Sequence, residues 1–255
     1  MSLLATARAR VKRCREICGD SILVALSGGK DSLVTLDLCA EQFSHVECYH
    51  MYFLARGLRC IESGVEAAAK RAGAKLHYVP HWDRARLLKR AVLRPHLNSA
   101  DDLPVLTQSD VDAYMVKLTG IHCIATGERA ADCFARRFYT RENDGIRIRE
   151  TVTKLYAIWD WRERDVHSYM KVKRIPLPPK FGVEHRKSVG LTLEPPCLRW
   201  LKLHHPADYQ IVIRNFPYAE AVANEPAPIE TPKVHHRPHG PIRDQKCAVQ
   251  PAQNQ

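Results

Sequence analysis

The chain has 255 residues, which is enough for one sizeable α/β domain with additions. Its formal net charge is +11, and such a basic surface favours nucleotides, nucleic acid or an acidic protein as partners. No stretch reaches the roughly 20 apolar residues of a membrane span, and no signal-peptide core precedes the first charges. We therefore expect a cytoplasmic protein without membrane contact, and an oligomer is compatible with all of these features.

The nine cysteines are scattered along the chain, and several lie inside apolar runs. This distribution predicts reduced thiols that pack as small hydrophobic groups. Cys14 and Cys18 are spaced i and i+4 on a predicted helix and can share a face, where packing is favoured over a metal or redox role. The C-terminal half has no Cys-x-x-Cys pair, so we expect no iron–sulfur cluster.

A basic amphipathic helix is predicted over residues 5–18, ended by Gly19. Residues 21–26 then form a short apolar run, which is typical of a strand buried on both faces. A glycine-rich loop follows directly, and residues 33–39 have helical character. In this order of strand, tight loop and helix, the amide groups at the helix N-terminus point at an anion.

Strands and helices continue to alternate along the chain. Further strands are predicted at 46–53, 75–80, 121–126 and 151–159, and further helices at 60–72, 84–94 and 109–118. Such alternation indicates a three-layer α/β fold, with a mostly parallel five-stranded sheet and helices on both faces.

The glycine-rich loop has the residue types of a phosphate site. Its sequence is Ser27-Gly28-Gly29-Lys30-Asp31-Ser32. Small residues at its start let successive N–H groups converge on an oxyanion, Lys30 supplies a positive charge, and Ser32 can cap the next helix and donate its hydroxyl to phosphate. Asp31 would repel a phosphate, so its expected role is to hold a Mg²⁺ ion that bridges phosphate groups.

In a parallel sheet, ligands bind beyond the carboxyl ends of the strands. The loops after the first and fourth strands, residues 27–32 and 127–137, are polar and contain glycine, so we expect them to form one site. The second loop begins at Gly127 and contains three arginines whose planar guanidinium groups suit phosphate or sulfate oxygens: Arg129, Arg136 and Arg137. Arg129 is expected in the site, whereas one of the other two is equally well explained as a solvated surface charge.

The phosphate loop is not a Walker A loop, which would have glycine in place of Val24 and serine or threonine in place of Asp31. It resembles the PP-loop signature of the ATP pyrophosphatases, Ser-Gly-Gly-x-Asp-Ser. That resemblance implies an enzyme that binds Mg-ATP, cleaves it between the α and β phosphates, adenylylates a substrate and releases pyrophosphate.

Two later segments resemble the phosphoadenosine phosphosulfate (PAPS) reductases and the small subunit of ATP sulfurylase. Residues 127–137 look like the Gly-x-Arg…Asp-Ser…Arg segment of these families, with Cys133 in place of the usual serine. Residues 159–169 are similar to their Asp-Trp-x-x-x-Asp-Val-Trp-x-Tyr segment, with His167 in place of the second tryptophan. Two shorter segments continue the same order, at 175–178 and 188–190.

The resemblance covers roughly residues 20–200 and implies the adenine nucleotide α-hydrolase-like fold. Within it, Trp159 and Trp161 are expected to be scaffold residues, and Asp165 is expected to anchor the helix that follows Trp161. We divide the chain accordingly into four parts: a basic N-terminal helix (1–19), a nucleotide-binding domain (20–200), a C-terminal segment packed on that domain (201–223), and a proline- and histidine-containing tail expected to be non-globular (224–255).

The chain also departs from these families. It lacks the C-terminal Glu-Cys-Gly-Leu-His segment of the thioredoxin-dependent PAPS reductases, and it lacks the paired cysteines with which adenosine phosphosulfate (APS) reductases hold an iron–sulfur cluster. Its phosphate loop is of the ATP-splitting type. Cys197 is the candidate nucleophile, although a single cysteine more often has a packing role.

Three hypotheses follow. The leading one is an enzyme that splits Mg-ATP into AMP and pyrophosphate to adenylylate a substrate, in sulfur transfer or nucleic-acid modification, with Lys30, Asp31 and Arg129 as catalytic residues. The second is a sulfonucleotide reductase that uses PAPS or APS with a non-standard or partner-supplied thiol. The third is a non-catalytic nucleotide- or nucleic-acid-binding module, and it is favoured by the cationic residues of the N-terminal helix: Arg8, Arg10, Lys12, Arg13 and Arg15.

Overall fold

The computed structural model describes residues 2–54, 57–181 and 192–225. At its centre is a six-stranded sheet made of β1 (Ser21–Ala25), β2 (His45–Tyr52), β3 (Lys75–Pro80), β4 (Cys123–Ala125), β5 (Ile146–Ile148) and β6 (Thr153–Leu155). The order across the sheet is β3-β2-β1-β4-β6-β5, and all neighbours are parallel except β5 and β6. The mostly parallel α/β architecture predicted from the sequence is confirmed.

The helices of the described ranges alternate with the strands and then continue as a C-terminal group. They are α1 (Leu3–Cys18), α2 (Lys30–Ala40), α3 (Arg59–Arg71), α4 (Arg84–Lys89), α5 (Gln108–Thr119), α6 (Arg136–Tyr139), α7 (Glu163–Lys173), α8 (Pro195–His204), α9 (Pro206–Asn215) and α10 (Ala219–Asn224). Short 3₁₀ turns lie at Asn98–Ala100 and Glu142–Gly145. Within the described ranges, no helix is long and apolar enough to cross a membrane.

Helices cover both faces of the sheet. On one face, α1, α2, α3 and α7 form a core with Ile22 and Val24 of β1. On the other face, Val111 and Met115 of α5 form a second core with Leu23 of β1. The three middle residues of β1 are buried, and their side chains alternate between the two cores because successive residues of a strand point to opposite faces. This central strand delivers the phosphate loop at its carboxyl end.

The sequence predicted five strands, and the described residues contain six. The missed strand is β5, an edge strand of three residues that pairs antiparallel with β6. Three residues are too few to show a recognisable alternation of polar and apolar side chains. The strand predicted at 151–159 shortens to β6, and the helix predicted at 84–94 ends at Lys89, beyond which Ala91 adopts a positive φ of 48°.

Two predicted segments concern residues that the structure does not describe. The short segment at 188–190 lies in the gap between residues 181 and 192. The predicted tail begins at residue 224, which is still the last residue of α10, and from residue 226 onward it lies outside the described residues. The division of the chain into four parts stays a prediction.

Most basic side chains of α1 have hydrogen-bond acceptors, but only Arg10 is buried. The Arg10 side chain is 0% exposed, and it donates hydrogen bonds to the carbonyl oxygens of Asp144 and Ala157 and to the carboxylates of Asp144 and Asp160. Three further arginines have their own acceptors: Arg8 on Glu41, Arg13 on Asn143 and Arg15 on Asp20. This helix therefore presents less unpaired positive charge than its sequence suggests, which weakens the case for a nucleic-acid surface on α1.

The C-terminal helices are tied to the sheet domain at the start of α3. Apolar residues of α8, α9 and α10 form a cluster with Leu54 and Leu58, which precede α3. Asp208 of α9 is 3% exposed, and its carboxylate accepts the backbone N–H groups of Arg59 at 3.1 Å and Cys60 at 2.8 Å. Since the N-cap residue of α3 is Leu58, which has no side-chain acceptor, Asp208 supplies the cap from a distant part of the chain.

Replacing Asp208 with alanine removes both acceptors from the first amides of α3. Loss of a helix N-cap costs about 1–2 kcal/mol, so we expect Asp208→Ala to lower the free energy of unfolding by about that amount in urea denaturation. Asp208→Asn keeps an acceptor oxygen and should lose less. Equal stability of the alanine variant and the unsubstituted protein would contradict this account of the cap.

Candidate active site

The phosphate loop connects β1 to α2 in a tight turn. Gly28 has a φ of +82°, a conformation that glycine adopts without strain, and a Cβ at this position would lie 3.0 Å from the Val65 side chain. Gly29 is the N-cap of α2 and makes no side-chain cap. Ser32 therefore lies in the first turn instead of at the cap, and its predicted capping role is wrong. Its hydroxyl donates to the carbonyl oxygen of Gly29 at 2.9 Å and lies 3.1 Å from the Ser27 hydroxyl.

The loop after β4 is in backbone contact with the first turn of α2. A Cβ built on Gly127 would lie 2.6 Å from the carbonyl carbon of Asp31 and 2.6 Å from the backbone nitrogen of Ser32. No side chain fits in that space, so only glycine allows this approach. The two loops that the sequence placed in one site are thus adjacent, because β1 and β4 are neighbours in the sheet.

Lys30, Asp31 and Arg129 form a buried charge cluster where the loops meet. The Lys30 ammonium lies 3.2 Å from one carboxylate oxygen of Asp31, and Nε of Arg129 lies 3.1 Å from the other. Arg129 also donates from Nη2 to the carboxylate of Asp132 at 2.8 Å. The side chains of Lys30 and Arg129 are 5% and 6% exposed, so these ion pairs are shielded from solvent.

Burial and charge act on Asp31 in opposite directions. Desolvation raises the pKa of its carboxyl group, while the neighbouring charges of Arg129 and Lys30 oppose this shift without cancelling it. Among the described residues, the Nη1 group of Arg129 and the hydroxyl of Thr126 are buried and have no hydrogen-bond partner. Unpartnered buried donors are costly, so a ligand oxygen that reached them would be strongly favoured.

The remaining arginines of the second loop differ in position. Arg136 is partly buried, donates to Asp132 at 2.9 Å, lies 3.6 Å from Glu128 and lines the cleft described below. Arg137 is exposed and donates only a long hydrogen bond, 3.4 Å, to the carbonyl oxygen of Ala130. Arg137 is thus the surface charge of the pair, and Arg136 is the arginine that faces the site.

A cleft of about 1860 Å³ opens beside these loops. Residues 27–32 line it together with Thr126, Gly127 and Asp132. Arg129 is not one of the lining residues, because it lies behind Asp31 and Asp132. The cleft is large enough for a nucleotide together with part of a second substrate.

A polar network on the cleft wall was not predicted from the sequence. Asp112 of α5 is 4% exposed; its carboxylate accepts hydrogen bonds from the Tyr49 hydroxyl at 2.8 Å and the Gln108 amide at 3.1 Å, and it pairs with Lys154. Burial, reinforced by the charge of Asp112, raises the pKa of Tyr49 well above its ordinary value. The sequence signal that could have predicted this network is Asp112 itself, an aspartate that stands beside the apolar Val111 on the inner side of a helix.

The segment around residue 160 serves as scaffold, as predicted. Trp161 is 2% exposed and packs edge-on against Tyr169, and the Trp159 ring lies under the guanidinium of Arg10. The carboxylate of Asp165 accepts the backbone N–H of Arg162 at 2.8 Å at the start of α7, so its predicted anchoring role is confirmed.

Cys197 is not one of the residues that line the cleft, although it lies directly behind two of them, Phe181 and Thr192. It is fully buried in α8, packs against Phe181, and its sulfur accepts a hydrogen bond from the Thr192 hydroxyl at 3.3 Å. Of the cysteines in the described ranges, only Cys60 lines the cleft. Burial, together with the neighbouring Asp208, raises the pKa of the Cys60 thiol to about 12, which keeps this thiol protonated at neutral pH.

The family model of the phosphoadenosine phosphosulfate reductase domain matches residues 21–190. The match begins with β1 and includes the phosphate loop, Gly127, the charge cluster and the scaffold segment around Trp161. No curated protein matches the chain in a sequence comparison. Since the family model covers most of the chain, and its range contains the nucleotide-binding loop, the chain belongs to the PAPS reductase family of the PP-loop superfamily.

Proposed function

We propose that the chain is a cytoplasmic enzyme that binds Mg-ATP and splits it into AMP and pyrophosphate, transferring the adenylyl group to an acceptor in sulfur transfer or nucleic-acid modification. The observation that carries this proposal is the buried cluster of Lys30, Asp31 and Arg129 at the N-terminus of α2. It combines two cations, which suit phosphate oxygens, with one carboxylate, which suits a divalent metal ion.

Binding of the phosphate chain is supported by the start of α2. Gly29 caps this helix without a side chain, so the first amides of α2 remain available to an oxyanion. Lys30 adds a charge that is held in place by Asp31 and screened little by solvent. These groups would neutralise the pyrophosphate as it leaves, which is the main electrostatic task in this type of transfer.

Asp31 is the residue that would hold Mg²⁺. The fit rests on its carboxylate, which lines the cleft beside the loop and is 20% exposed, and on the hard oxygen donor that this ion prefers. When bound, the ion would neutralise negative charge on the phosphate groups. Holding it requires the ionised carboxylate, and the charges of Arg129 and Lys30 both favour that form.

Arg129 is assigned to the α phosphate. If a phosphate oxygen displaced the Asp31 carboxylate from Arg129, it would accept hydrogen bonds from Nε and from Nη1, which has no hydrogen-bond partner. The hydrogen bond from Nη2 to Asp132 would continue to orient the guanidinium group. An acceptor oxygen then attacks the α phosphorus; the new P–O bond forms as the bond to the β phosphate breaks, and both electrons of that bond leave with pyrophosphate.

The second candidate function is reduction of PAPS or APS, and the family match favours it. That reaction needs a thiol that attacks the sulfonate sulfur, and a second thiol that releases sulfite as a disulfide forms. Among the described cysteines, Cys60 is at the cleft but is kept protonated, and Cys197 is buried outside it. Reduction would therefore depend on a non-standard thiol outside these described cysteines or on a thiol supplied by a partner.

A nucleotide panel separates these functions. ATP, PAPS and APS are each incubated with the protein and Mg²⁺, and binding, pyrophosphate release and thiol-dependent sulfite release are measured. Pyrophosphate from ATP supports adenylyl transfer, whereas sulfite from PAPS or APS supports the reductase. Nucleotide binding without either product, together with salt-dependent binding of nucleic acid, would favour the non-catalytic module.

Lys30→Ala should abolish most of the pyrophosphate release. Removing one preorganised charge from a transition-state site costs about 100- to 1000-fold in kcat, and we expect a loss in this range in a coupled pyrophosphate assay. Lys12→Ala, on the exposed side of α1, is the matched control and should retain full activity. Unchanged release in Lys30→Ala would rule out this mechanism.

Gly127→Ala should separate the two loops. The added methyl group would lie 2.6 Å from the backbone of the first turn of α2, so either the turn or the loop must move. We expect loss of nucleotide binding, measured by calorimetry, with the global fold retained in circular dichroism. Gly64→Ala in α3 is the control: Gly64 also lines the cleft, but its Cβ would meet no atom within 4 Å. Tight nucleotide binding by Gly127→Ala would contradict the proposed role of this contact.

Arg129 and Arg137 allow a comparison of two arginines in one segment. Arg129→Ala should lower kcat/KM for pyrophosphate release by about 100-fold, and Arg129→Lys should recover only part of this because it lacks the planar fork. Arg137→Ala removes an exposed charge and should behave like the unsubstituted protein. Equal losses in both alanine variants would show that the overall positive charge matters, and would contradict a specific contact between the Arg129 guanidinium and the α phosphate.

A further inference from the structure

Three cysteine thiols meet at a place that the proposed reaction does not use. Cys14 and Cys18 belong to α1, and Cys123 is the first residue of β4. Their sulfur atoms all lie within 4.8 Å of one another, and those of Cys14 and Cys123 are 3.4 Å apart. Cys14 and Cys123 are buried, whereas Cys18 at the end of α1 is partly exposed. Among the described residues, these three cysteines are the group of three or more potential ligand side chains that lies close enough together to hold a metal ion.

The spacing of the sulfur atoms suits a single ion. A tetrahedral zinc–thiolate site has Zn–S bonds of about 2.3 Å, which places its sulfur atoms about 3.8 Å apart. The measured pair is 3.4 Å apart and all three sulfur atoms lie within 4.8 Å of one another, so small side-chain rotations would bring them into range. A [4Fe–4S] cluster is a poorer fit, because each of its cysteines binds a different iron and their sulfur atoms are spread further apart.

We propose that Cys14, Cys18 and Cys123 bind one thiophilic metal ion, with Zn²⁺ as the best match, and that this ion fastens α1 to the sheet. Water could supply a fourth ligand, because Cys18 is partly exposed.

The three cysteines lie outside the lining of the nucleotide cleft, although His122, next to Cys123 in the chain, is one of the lining residues. Cys123 opens β4, whereas Thr126 and Gly127, which line the cleft, follow the end of the same strand. None of the three cysteines lines the cleft. The ion would therefore have a structural role, and its removal should lower thermal stability without removing a group from the phosphate loop.

Cobalt titration of the full chain tests this proposal. The reduced protein is stripped with a chelator and titrated with Co²⁺ under anaerobic conditions. We expect one equivalent to bind with a sulfur-to-cobalt charge-transfer band and the intense visible bands of a tetrahedral site, and Zn²⁺ should displace it. X-ray absorption of the zinc-loaded protein should show three sulfur ligands. Absence of the charge-transfer band, or a shell of nitrogen and oxygen alone, would overturn the proposal.

A pair of cysteine variants locates the ion. Cys18→Ser, at the partly exposed end of α1, should weaken cobalt binding by more than about 100-fold, since losing a ligand costs more than losing one of its outer partners. Cys133→Ser replaces an exposed cysteine outside the group and should bind like the unsubstituted protein. Zinc should raise the melting temperature of Cys133→Ser but not that of Cys18→Ser. Full cobalt binding by a folded Cys18→Ser protein would show that the ion lies elsewhere.

Discussion

The candidate site depends on the close approach of Gly127 to the first turn of α2. Because this residue has no side chain, the loop after β4 can lie against the backbone of Asp31 and Ser32. That approach in turn places Arg129, two residues later, within 3.1 Å of the Asp31 carboxylate. The parallel pairing of β1 with β4 brings the two loops to the same edge of the sheet, and the missing Cβ sets how near they come.

The charge cluster that results is arranged in layers. Asp31 and Asp132 line the cleft, and Arg129 is held behind them by both carboxylates. A buried arginine with two acidic partners loses little further entropy when a ligand arrives, since its orientation is already fixed. Its unpartnered Nη1 group leaves one direction in which a new oxygen would be stabilised. The cluster is thus preorganised for an anion and still incomplete without one.

The strongly basic composition does not translate directly into a basic surface on α1. Arg10 donates its hydrogen bonds to carbonyl and carboxylate groups in the 3₁₀ turn Glu142–Gly145 and just after β6. Other arginines of this helix pair with nearby acceptors. These contacts hold α1 on the sheet, where its buried face also brings Cys14 to Cys123. One face of this helix therefore packs on the sheet domain, and its outer face carries fewer unpaired charges than the sequence suggests.

The amino-acid sequence by itself determined the features that are written in contiguous residues: the phosphate loop between a buried strand and a helix, the alternation of strands and helices, and the segment with Gly127 and Arg129 that marks the family. It predicted neither the three-residue edge strand β5 nor the network around Asp112, and it could not decide which of Arg136 and Arg137 faces the cleft. Only the tertiary structure brought Cys123 to Cys14 and Cys18, and Arg129 to Asp31. The physical reason is that these contacts join residues about a hundred positions apart, whose proximity is set by strand order and helix packing and leaves no trace in local sequence periodicity.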